Sequence, residues 1–302
     1  MKHIFVINPI AGKGKAISFE NKIKDLFKNI DEPYEILITK ESGEATKKVK
    51  DIVSKERCRV YSIGGDGTLN EVLNGLVGSD SSLAIIPAGS GNDFARTLYG
   101  NLEVCGILEK LISGEEKPID VAKVNDRYFL NISSVGFDAC VVNNARQYKK
   151  YKLITGPMAY GISLIKTLFT FGHMNLEFEI DDKIIKSDMY LIAVANGKCY
   201  GGGIKIAPNA IIDDGLLDIY AIKKPRLHRL IRFLPKVVTG KDVTGIEEII
   251  YTRIKKMRVK SKDDIIVNID GEILALNDIN FEIVNKAINV VIPREEIELS
   301  NK

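Results

Sequence analysis

The segment Gly64–Thr68, with the sequence Gly-Gly-Asp-Gly-Thr, combines residue types suited to binding phosphate. It follows the apolar run Val60–Ile63 and precedes a helical pattern, which predicts a strand-to-helix turn. Glycines let backbone N–H groups approach phosphate oxygens, and the N-terminus of the following helix adds a favourable dipole. Asp66 would repel those phosphates unless a cation lay between them, so it predicts Mg²⁺ bridging or a catalytic carboxylate. A plain glycine turn capped by an aspartate is the alternative.

Two other turns carry carboxylates. Asp270-Gly271-Glu272 separates two runs of period-two hydrophobic alternation, which predicts a hairpin turn. Asp213-Asp214-Gly215 is a favourable β-turn sequence in its own right. Taken alone, both segments fit ordinary turns without a chemical role.

The first half of the chain, residues 1–122, alternates short β-branched runs with amphipathic stretches. This alternation predicts a doubly wound α/β domain with a parallel sheet, in which ligands bind beyond the carboxyl ends of the strands. Three glycine-rich segments fall at such ends: Asn8–Gly14, Gly64–Thr68 and Ala88–Asn92. We therefore expect these three loops to converge on one site.

The second half, residues 123–289, is dominated by period-two alternation and predicts a mainly antiparallel, β-sandwich-like domain. Helical patterns interrupt it around residues 157–170 and 225–239. The tail from about residue 290 to 302 is predicted to return to the first domain. No long flexible linker separates the halves, so the active site is predicted to lie in a cleft between two domains.

Composition restricts the class of protein. Hydrophobic residues make up 45% and charged residues 27% of the 302 positions, which excludes a disordered or fibrous chain. A formal net charge of +3 argues against nucleic acid as the partner. The four cysteines are far apart and adjoin apolar runs, which favours reduced thiols and the cytoplasm. The weakly charged segment Leu153–Phe171 is too interrupted for a membrane span and is predicted to be a buried helix.

The string GGDGTLNEVLNG at residues 64–75 resembles the nucleotide-binding signature of the diacylglycerol kinase catalytic domain. NPIAGKGK at 8–15 and IPAGSGNDFAR at 86–96 are similar to the two other glycine-rich loops of that family. The resemblance implies that ATP is bound by Asn8, Pro9, Gly12, Thr39, Gly65, Asp66, Gly67, Thr68, Leu69, Asn70, Glu71 and Ser90. Asp93 and Arg96 would lie nearby, with Asp93 as a candidate catalytic carboxylate.

The resemblance extends into the second half. Residues 200–218 look like the family segment that holds a structural Mg²⁺, which would be bound by Asp214 and by backbone oxygens of Ile211 and Leu216. Asp120 and Asp213 would orient its waters. The glutamate that matches Glu272 is the family's proposed general base, although related sphingoid kinases have been discussed with the aspartate at the Asp66 position in that role.

The resemblance implies an ATP- and Mg²⁺-dependent lipid kinase that converts diacylglycerol to phosphatidic acid. Ser90 departs from the threonine of bacterial diacylglycerol kinases and resembles the sphingoid and ceramide branch, so phosphatidylglycerol or a sphingoid base is an alternative substrate. A nicotinamide-dinucleotide (NAD) kinase, which shares GGDGT, and a non-catalytic lipid-binding regulatory module are further alternatives.

The implied partner is a membrane lipid, met by peripheral contact with the inner face of the membrane. Residues 219–241 contain seven Lys or Arg and no acid, and their leucines follow helical spacing, which favours a basic amphipathic helix at anionic headgroups. An ordinary helix that packs its leucines on the β domain is the alternative. A homodimer is also compatible with the sequence.

Overall fold

The structure is a computed structural model of the 302-residue chain. It describes residues 1–100, 106–148, 156–181, 183–223 and 245–294, together with residues 229, 232, 236, 239, 241 and 243. The chain divides into two compact units. The first contains residues 1–120 and the described residues from 286 onward, and the second contains residues 121–285.

The first unit is built from alternating strands and helices. Its strands are β1 (Lys2–Ile7), β2 (Tyr34–Ile38), β3 (Cys58–Gly64) and β4 (Ser82–Pro87). Its helices are α1 (Ala11–Gly14), α2 (Phe19–Leu26), α3 (Glu44–Val53), α4 (Asp66–Leu76), α5 (Asp93–Tyr99) and α6 (Ile107–Ile112), with a 3₁₀ turn at Ala16–Ser18. The strands pair in parallel in the order β2-β1-β3-β4, and Asn289 and Val290 pair in parallel with β4. The predicted parallel-sheet α/β domain is confirmed.

Apolar side chains on β1 and β3 form the centre of the first core. The rings of Phe5 and Tyr61 stack with their centroids 4.3 Å apart. His3 is buried beside them, with Nδ1 2.8 Å from the Tyr61 hydroxyl and Nε2 in contact with the Glu32 carboxylate. On one side of the sheet, α3 and α4 approach closely at Gly75, where an added Cβ would lie 2.6 Å from the Thr46 carbonyl oxygen. This core holds the carboxyl ends of β1, β3 and β4 in a fixed relation.

The second unit is mainly antiparallel. Its strands are β6 (Arg127–Phe129), β7 (Ile132–Gly136), β8 (Met174–Ile180), β9 (Lys183–Met189), β10 (Leu191–Ala195), β11 (Leu217–Ile222), β12 (Ile249–Ile254) and β13 (Lys256–Ile269). The unit also contains the end of β5 (Glu115–Val124) and the start of β14 (Glu272–Ile292). Strands pair in the order β12-β11-β10-β7-β13-β14, while β8 joins β13 and β9 joins β8. The predicted antiparallel domain is confirmed, including the hairpin of β13 and β14.

Two helices of the second unit differ from the sequence predictions. Helix α7 (Phe137–Tyr148) was not predicted, because its β-branched valines and paired asparagines are weak helix formers. Helix α8 (Gly156–Thr170) does form, but it is not the buried helix expected from its apolar composition. One side of α8 packs on α7, whereas four of its large apolar side chains are exposed.

Within the described ranges, every helix is too short or too polar to cross a bilayer. The predicted basic helix at residues 225–239 lies largely outside the described residues. Of its cations that are described, Arg229 pairs with the carboxylates of Glu247 and Glu248.

Candidate functional site

The turn between β3 and α4 is shaped by close packing around its glycines. Gly64 ends β3, and a Cβ there would collide with the Thr68 side chain one turn into the helix. Gly65 has an extended backbone (φ −100°, ψ −170°) and α4 starts at the next residue, Asp66. The first N–H groups of α4 therefore emerge directly from the strand end, which is the arrangement that favours anion binding.

The glycine-rich loop Asn8–Gly14 lies against this turn. The Asn8 side-chain amide donates to the Thr68 hydroxyl over 3.0 Å, which ties the end of β1 to α4. Gly12 and Lys13 both have left-handed backbones, with φ of 61° and 58°. A Cβ at Gly12 would collide with the carbonyl oxygen of Ala88 in the loop Ala88–Asn92. Both this close approach and the left-handed backbone therefore require glycine at position 12. The chain thus brings together the three loops predicted to converge.

Asp66 connects the glycine-rich loop Ala88–Asn92 to the start of α4. One of its carboxylate oxygens accepts the Asp93 N–H at 2.8 Å and the other accepts the Asn92 N–H at 2.9 Å. Asn92 has φ 54°, and its side chain closes the loop by accepting the Gly89 N–H at 3.0 Å. Burial raises the pKa of Asp66, and the negative charge of Asp93 raises it further. Two close carboxylates of this kind make an oxygen-rich site suited to a divalent cation.

The remaining predicted nucleotide-binding residues of the first unit are placed around this centre. The Thr39 hydroxyl lies 3.4 Å from the Ile7 carbonyl oxygen at the end of β1. Glu71 accepts hydrogen bonds from the Ser42 hydroxyl and the Ala45 N–H at the start of α3, so its carboxylate is engaged in positioning that helix. Ser90 is exposed, and Arg96 is exposed with its Nε donating to the Gly91 carbonyl oxygen over 3.2 Å. Leu69 and Asn70 are buried on α4, while Pro9 is half-buried and Gly67 exposed.

A small crevice lies between the turn at Gly64–Thr68 and the loop Ala88–Asn92. Its lining includes Ser62, Gly65, Asp66, Leu69, Pro87 and Asn92. The crevice combines the N-terminal end of α4, glycine backbone and carboxylate oxygen. Helix N-termini and glycine backbone of this kind favour phosphate oxygens, and carboxylates favour a cation that neutralises phosphate charge.

In the second unit, the Asp270-Gly271-Glu272 turn is held by the strands beside it. Asp270 has φ 46°, and its carboxylate accepts the backbone N–H groups of Leu130, Asn131 and Ile132 at 2.9, 3.2 and 3.1 Å. The Gly271 N–H donates to the Asn268 side chain over 2.9 Å. These bonds fix the turn that carries Glu272.

Two arginines complete the surroundings of Glu272. Arg127 on β6 forms an ion pair with the Glu272 carboxylate, and Arg146 on α7 donates to the Gly271 carbonyl oxygen. Glu272 is only half-buried and so remains accessible to solvent. The arrangement presents a carboxylate that a cation orients but does not enclose, which is compatible with a role in proton transfer.

The predicted magnesium site centres on Asp214. Its Oδ1 accepts the Leu216 N–H at 3.1 Å and its other oxygen pairs with Arg253. Asp213 and Ile211 are exposed in the same segment, and Asp120 in the first unit is buried, with Oδ1 accepting the Lys286 N–H at 2.7 Å. No cluster of three or more His, Cys, Asp or Glu side chains suited to a metal occurs among the described residues. A Mg²⁺ ion here would rely on one carboxylate and backbone carbonyls, donor types that fit it, and would compete with Arg253 for Asp214.

The sequence reasoning missed Arg127 and Arg253, which pair with the carboxylates of Glu272 and Asp214, and Arg146, which donates to the Gly271 carbonyl oxygen. Arg127 lies 145 positions from Glu272 along the chain, and Arg253 lies 39 positions from Asp214. Period-two alternation predicted the strands that carry Arg127 and Arg253 but not which strands become neighbours. Only the pairing of strands reveals these contacts.

Both halves of the chain match known families. The family model of the diacylglycerol kinase catalytic domain matches residues 2–124. The model of the YegS C-terminal NAD kinase beta sandwich-like domain matches residues 131–292. The two matches together cover the glycine-rich loops, the Asp214 segment and the Glu272 turn.

Individual relatives align with this chain over most of their length. The chain is 31% identical over 260 residues to a diacylglycerol kinase of Bacillus subtilis (strain 168), covering 85% of both chains. It is 28% identical over 295 residues to a diacylglycerol kinase of Staphylococcus epidermidis, covering 96% of this chain and 92% of the relative. A solved structure from Bacillus anthracis str. Sterne is similar with a TM-score of 0.77 at 30% identity over 96% of both chains. The chain therefore belongs to the diacylglycerol kinase family and is a lipid kinase.

Proposed function

We propose that the protein transfers the γ-phosphate of ATP to the free hydroxyl of diacylglycerol, with Mg²⁺ as the metal ion. The observation that carries this proposal is the link from Asp66 to the N–H groups of Asn92 and Asp93. It places two carboxylates beside an N–H-rich helix start, an arrangement suited to a metal-bound triphosphate. The relatives named as diacylglycerol kinases favour diacylglycerol as the acceptor.

Each group has a distinct role in this proposal. The loops at Asn8–Gly14 and Gly64–Thr68 bind and orient the phosphates through backbone N–H groups and the Thr68 hydroxyl. Mg²⁺, when bound, neutralises charge on the phosphates, and Asp66 and Asp93 would hold it. Glu272 accepts the proton of the lipid hydroxyl as the new oxygen–phosphorus bond forms and the bond to the ADP oxygen breaks.

The structural Mg²⁺ is a separate part of the proposal. Asp214 would hold it with backbone oxygens of Ile211 and Leu216, while Asp120 and Asp213 would contact its waters. Such a metal would stabilise the turn at Asp213–Gly215. Its loss should therefore lower stability as well as activity.

The test is a transfer assay with labelled ATP, Mg²⁺ and four separate micellar lipids: diacylglycerol, phosphatidylglycerol, sphingosine and ceramide. Labelled phosphatidic acid is expected, with kcat reduced by about 100-fold or more in Glu272→Gln. Glu282→Gln, an exposed glutamate on β14, serves as the matched control and should retain activity. Label in a different lipid would replace diacylglycerol as the substrate.

A parallel reaction with NAD and ATP tests the dinucleotide alternative. It is relevant because the matched C-terminal family is described as NAD kinase beta sandwich-like. Labelled NADP with no labelled lipid would overturn the proposal. ATP binding without transfer to any acceptor would instead favour a non-catalytic lipid-binding module.

A further inference from the structure

Four polar side chains in the interior of the second unit carry atoms that lack a hydrogen-bond partner. They are Ser134, Asp138, Tyr200 and Asn268, with exposed fractions of 1%, 8%, 9% and 0%. Among the described residues, no group hydrogen-bonds to the Ser134 hydroxyl, Oδ1 of Asp138, the Tyr200 hydroxyl or Nδ2 of Asn268. Buried polar atoms are normally paired, because each unpaired one costs free energy. We name these four residues the polar cluster.

The sheet places two members of the cluster side by side. Ser134 on β7 lies directly opposite Asn268 on β13 in an antiparallel pair. Their neighbours Val135 and Val267 belong to the hydrophobic core on the other face of the sheet. Successive side chains of a strand alternate between faces, so Ser134 and Asn268 share the face opposite that core. Side chains placed in this way have Cβ atoms about 4.5–5.5 Å apart and can contact one ligand together.

The other two members extend the cluster toward the helices. Asp138 lies in the first turn of α7, close to the hydroxyls of Ser134 and Tyr200. These hydroxyls favour the charged form of Asp138, but burial outweighs them and raises its pKa. Tyr200 in turn lies beside Tyr160 on α8. The cluster is therefore continuous from β13 to α8, and burial favours its neutral form.

Asn268 joins the cluster to the turn that carries Glu272. Its Oδ1 accepts the Gly271 N–H over 2.9 Å, so its unpaired Nδ2 lies next to the same turn. Gly271 is exposed and Glu272 is half-buried, so this turn is accessible from solvent. In diacylglycerol the ester carbonyls are only a few bonds from the free hydroxyl. A lipid whose hydroxyl reaches Glu272 therefore brings its ester groups close to Asn268.

We propose that the polar cluster binds the ester groups of the acceptor lipid and selects lipids that carry them. The Asn268 amide and the hydroxyls of Ser134 and Tyr200 donate to ester carbonyl oxygens, which accept hydrogen bonds and cannot donate them. Asp138, as the neutral acid, supplies a further donor. The ammonium group of a sphingoid base would instead suit an ionised carboxylate. This inference rests on the proposed function, because it names the substrate class of the same site.

Two matched short-chain lipids test this selection. Dioctanoylglycerol has ester carbonyls, whereas dioctylglycerol, its ether analogue, has none. In the wild type, kcat/KM should be roughly tenfold or more higher for the ester, since the ether leaves buried donors unpaired. In Ser134→Ala with Tyr200→Phe this preference should decrease to about threefold or less. No preference in the wild type, or an unchanged one in the double variant, would overturn the proposal and leave the cluster as a site for water only.

Ser133 provides a matched control on the same strand. Its hydroxyl donates to the Asn268 carbonyl oxygen over 2.9 Å and so already has a partner. Ser133→Ala should lower the melting temperature and leave the ester preference unchanged. Ser134→Ala removes a hydroxyl that has no partner, so its melting temperature should equal or exceed that of the wild type. Loss of the ester preference in Ser133→Ala to the same extent as in the double variant would overturn the proposal.

Asp138 distinguishes an ester from an ammonium ligand. The wild type should prefer dioctanoylglycerol to sphingosine, and Asp138→Asn, which also carries a neutral polar group, should retain that preference. Labelled transfer with each lipid in turn measures both. A wild-type preference for sphingosine that Asp138→Asn abolishes would overturn the proposal and assign the cluster to an ammonium group.

Binding in the absence of ATP separates this inference from the proposed function. Dioctanoylglycerol should raise the melting temperature of the wild type more than dioctylglycerol does, and the Ser134→Ala, Tyr200→Phe variant should lose that difference. If the wild type phosphorylates no lipid but shows the difference, the kinase proposal fails and the ester site stands. If it phosphorylates diacylglycerol without the difference and without an ester preference, the kinase proposal stands and the ester site fails.

Discussion

Asp270 is a sensitive point of the second unit because one carboxylate satisfies three backbone donors. The N–H groups of Leu130, Asn131 and Ile132 all point to it, and these residues are 1%, 6% and 1% exposed. The three donors lie where the chain passes from β6 to β7. Asp270→Ala removes the acceptor that these three donors share.

The cost of Asp270→Ala follows from these contacts. A buried donor left without a partner costs about 1–3 kcal/mol, and the low end applies where water can enter beside a turn. Three such donors give about 4 kcal/mol, and the left-handed backbone at φ 46° adds about 1 kcal/mol for alanine. For a domain of this size, each kcal/mol lowers the melting temperature by about 2–4 °C. We therefore expect a decrease of about 10–20 °C.

Thermal unfolding followed by circular dichroism measures this effect, with two comparison variants. Asp270→Asn keeps one oxygen for the Asn131 and Ile132 donors and loses the bond from Leu130, so a decrease of about 2–8 °C is expected. Glu272→Gln removes only a half-exposed ion pair and should cost about 1 kcal/mol or less. A melting temperature of Asp270→Ala within about 2 °C of the wild type would show that the carboxylate does not hold the turn.

Three other predictions concern packing, pH and metal. Gly75→Ala should destabilise the protein by about 1–2 kcal/mol, because its Cβ would lie 2.6 Å from the Thr46 carbonyl oxygen, whereas Gly161→Ala has open space and should stabilise α8 by about 0.5–1 kcal/mol in urea unfolding. Burial lowers the pKa of His3 from its ordinary 6.5, so the unfolded chain takes up a proton that the folded chain does not. Stability should therefore fall as the pH decreases below about 6.5. In melting experiments between about pH 5 and 8, His3→Asn should reduce this dependence of the melting temperature on pH. Without nucleotide, Mg²⁺ should raise the melting temperature of the wild type more than that of Asp214→Asn; an equal increase in both would exclude Asp214 as its ligand.

The sequence was sufficient for the class of fold because periodicity is a local property. Alternating strands and helices before residue 122 and period-two runs after it correspond to the parallel and antiparallel units. The local sequence pattern did not predict elements whose formation depends on tertiary contacts. Helix α7 forms from weak helix formers because Val141 and Ala145 are buried, and packing outweighs propensity.

The site shows the same division between local and long-range information. Glycines at 12, 64 and 89 could be recognised as loop residues, and the structure adds the reason: a Cβ at each would meet atoms of a neighbouring loop or helix. The order of the strands, β2-β1-β3-β4, brings those loops together and is absent from any single segment. Ion pairs such as that of Arg127 with Glu272 depend on strand pairing as well. The predicted roles of the site residues remain predictions until the transfer assay is made.

The carboxylates of this protein differ in what their oxygens already bind. Asp66 and Asp270 each accept backbone N–H groups from a separate segment, so each holds a loop in place whatever else it does. Glu272 contacts the side chain of Arg127, which can move without disturbing the backbone. Substitution of Asp66 or Asp270 should therefore reduce stability and activity together, whereas substitution of Glu272 should reduce activity with little loss of stability. Activity loss at Asp66 is consequently weak support for a chemical role unless the melting temperature is shown to be unchanged.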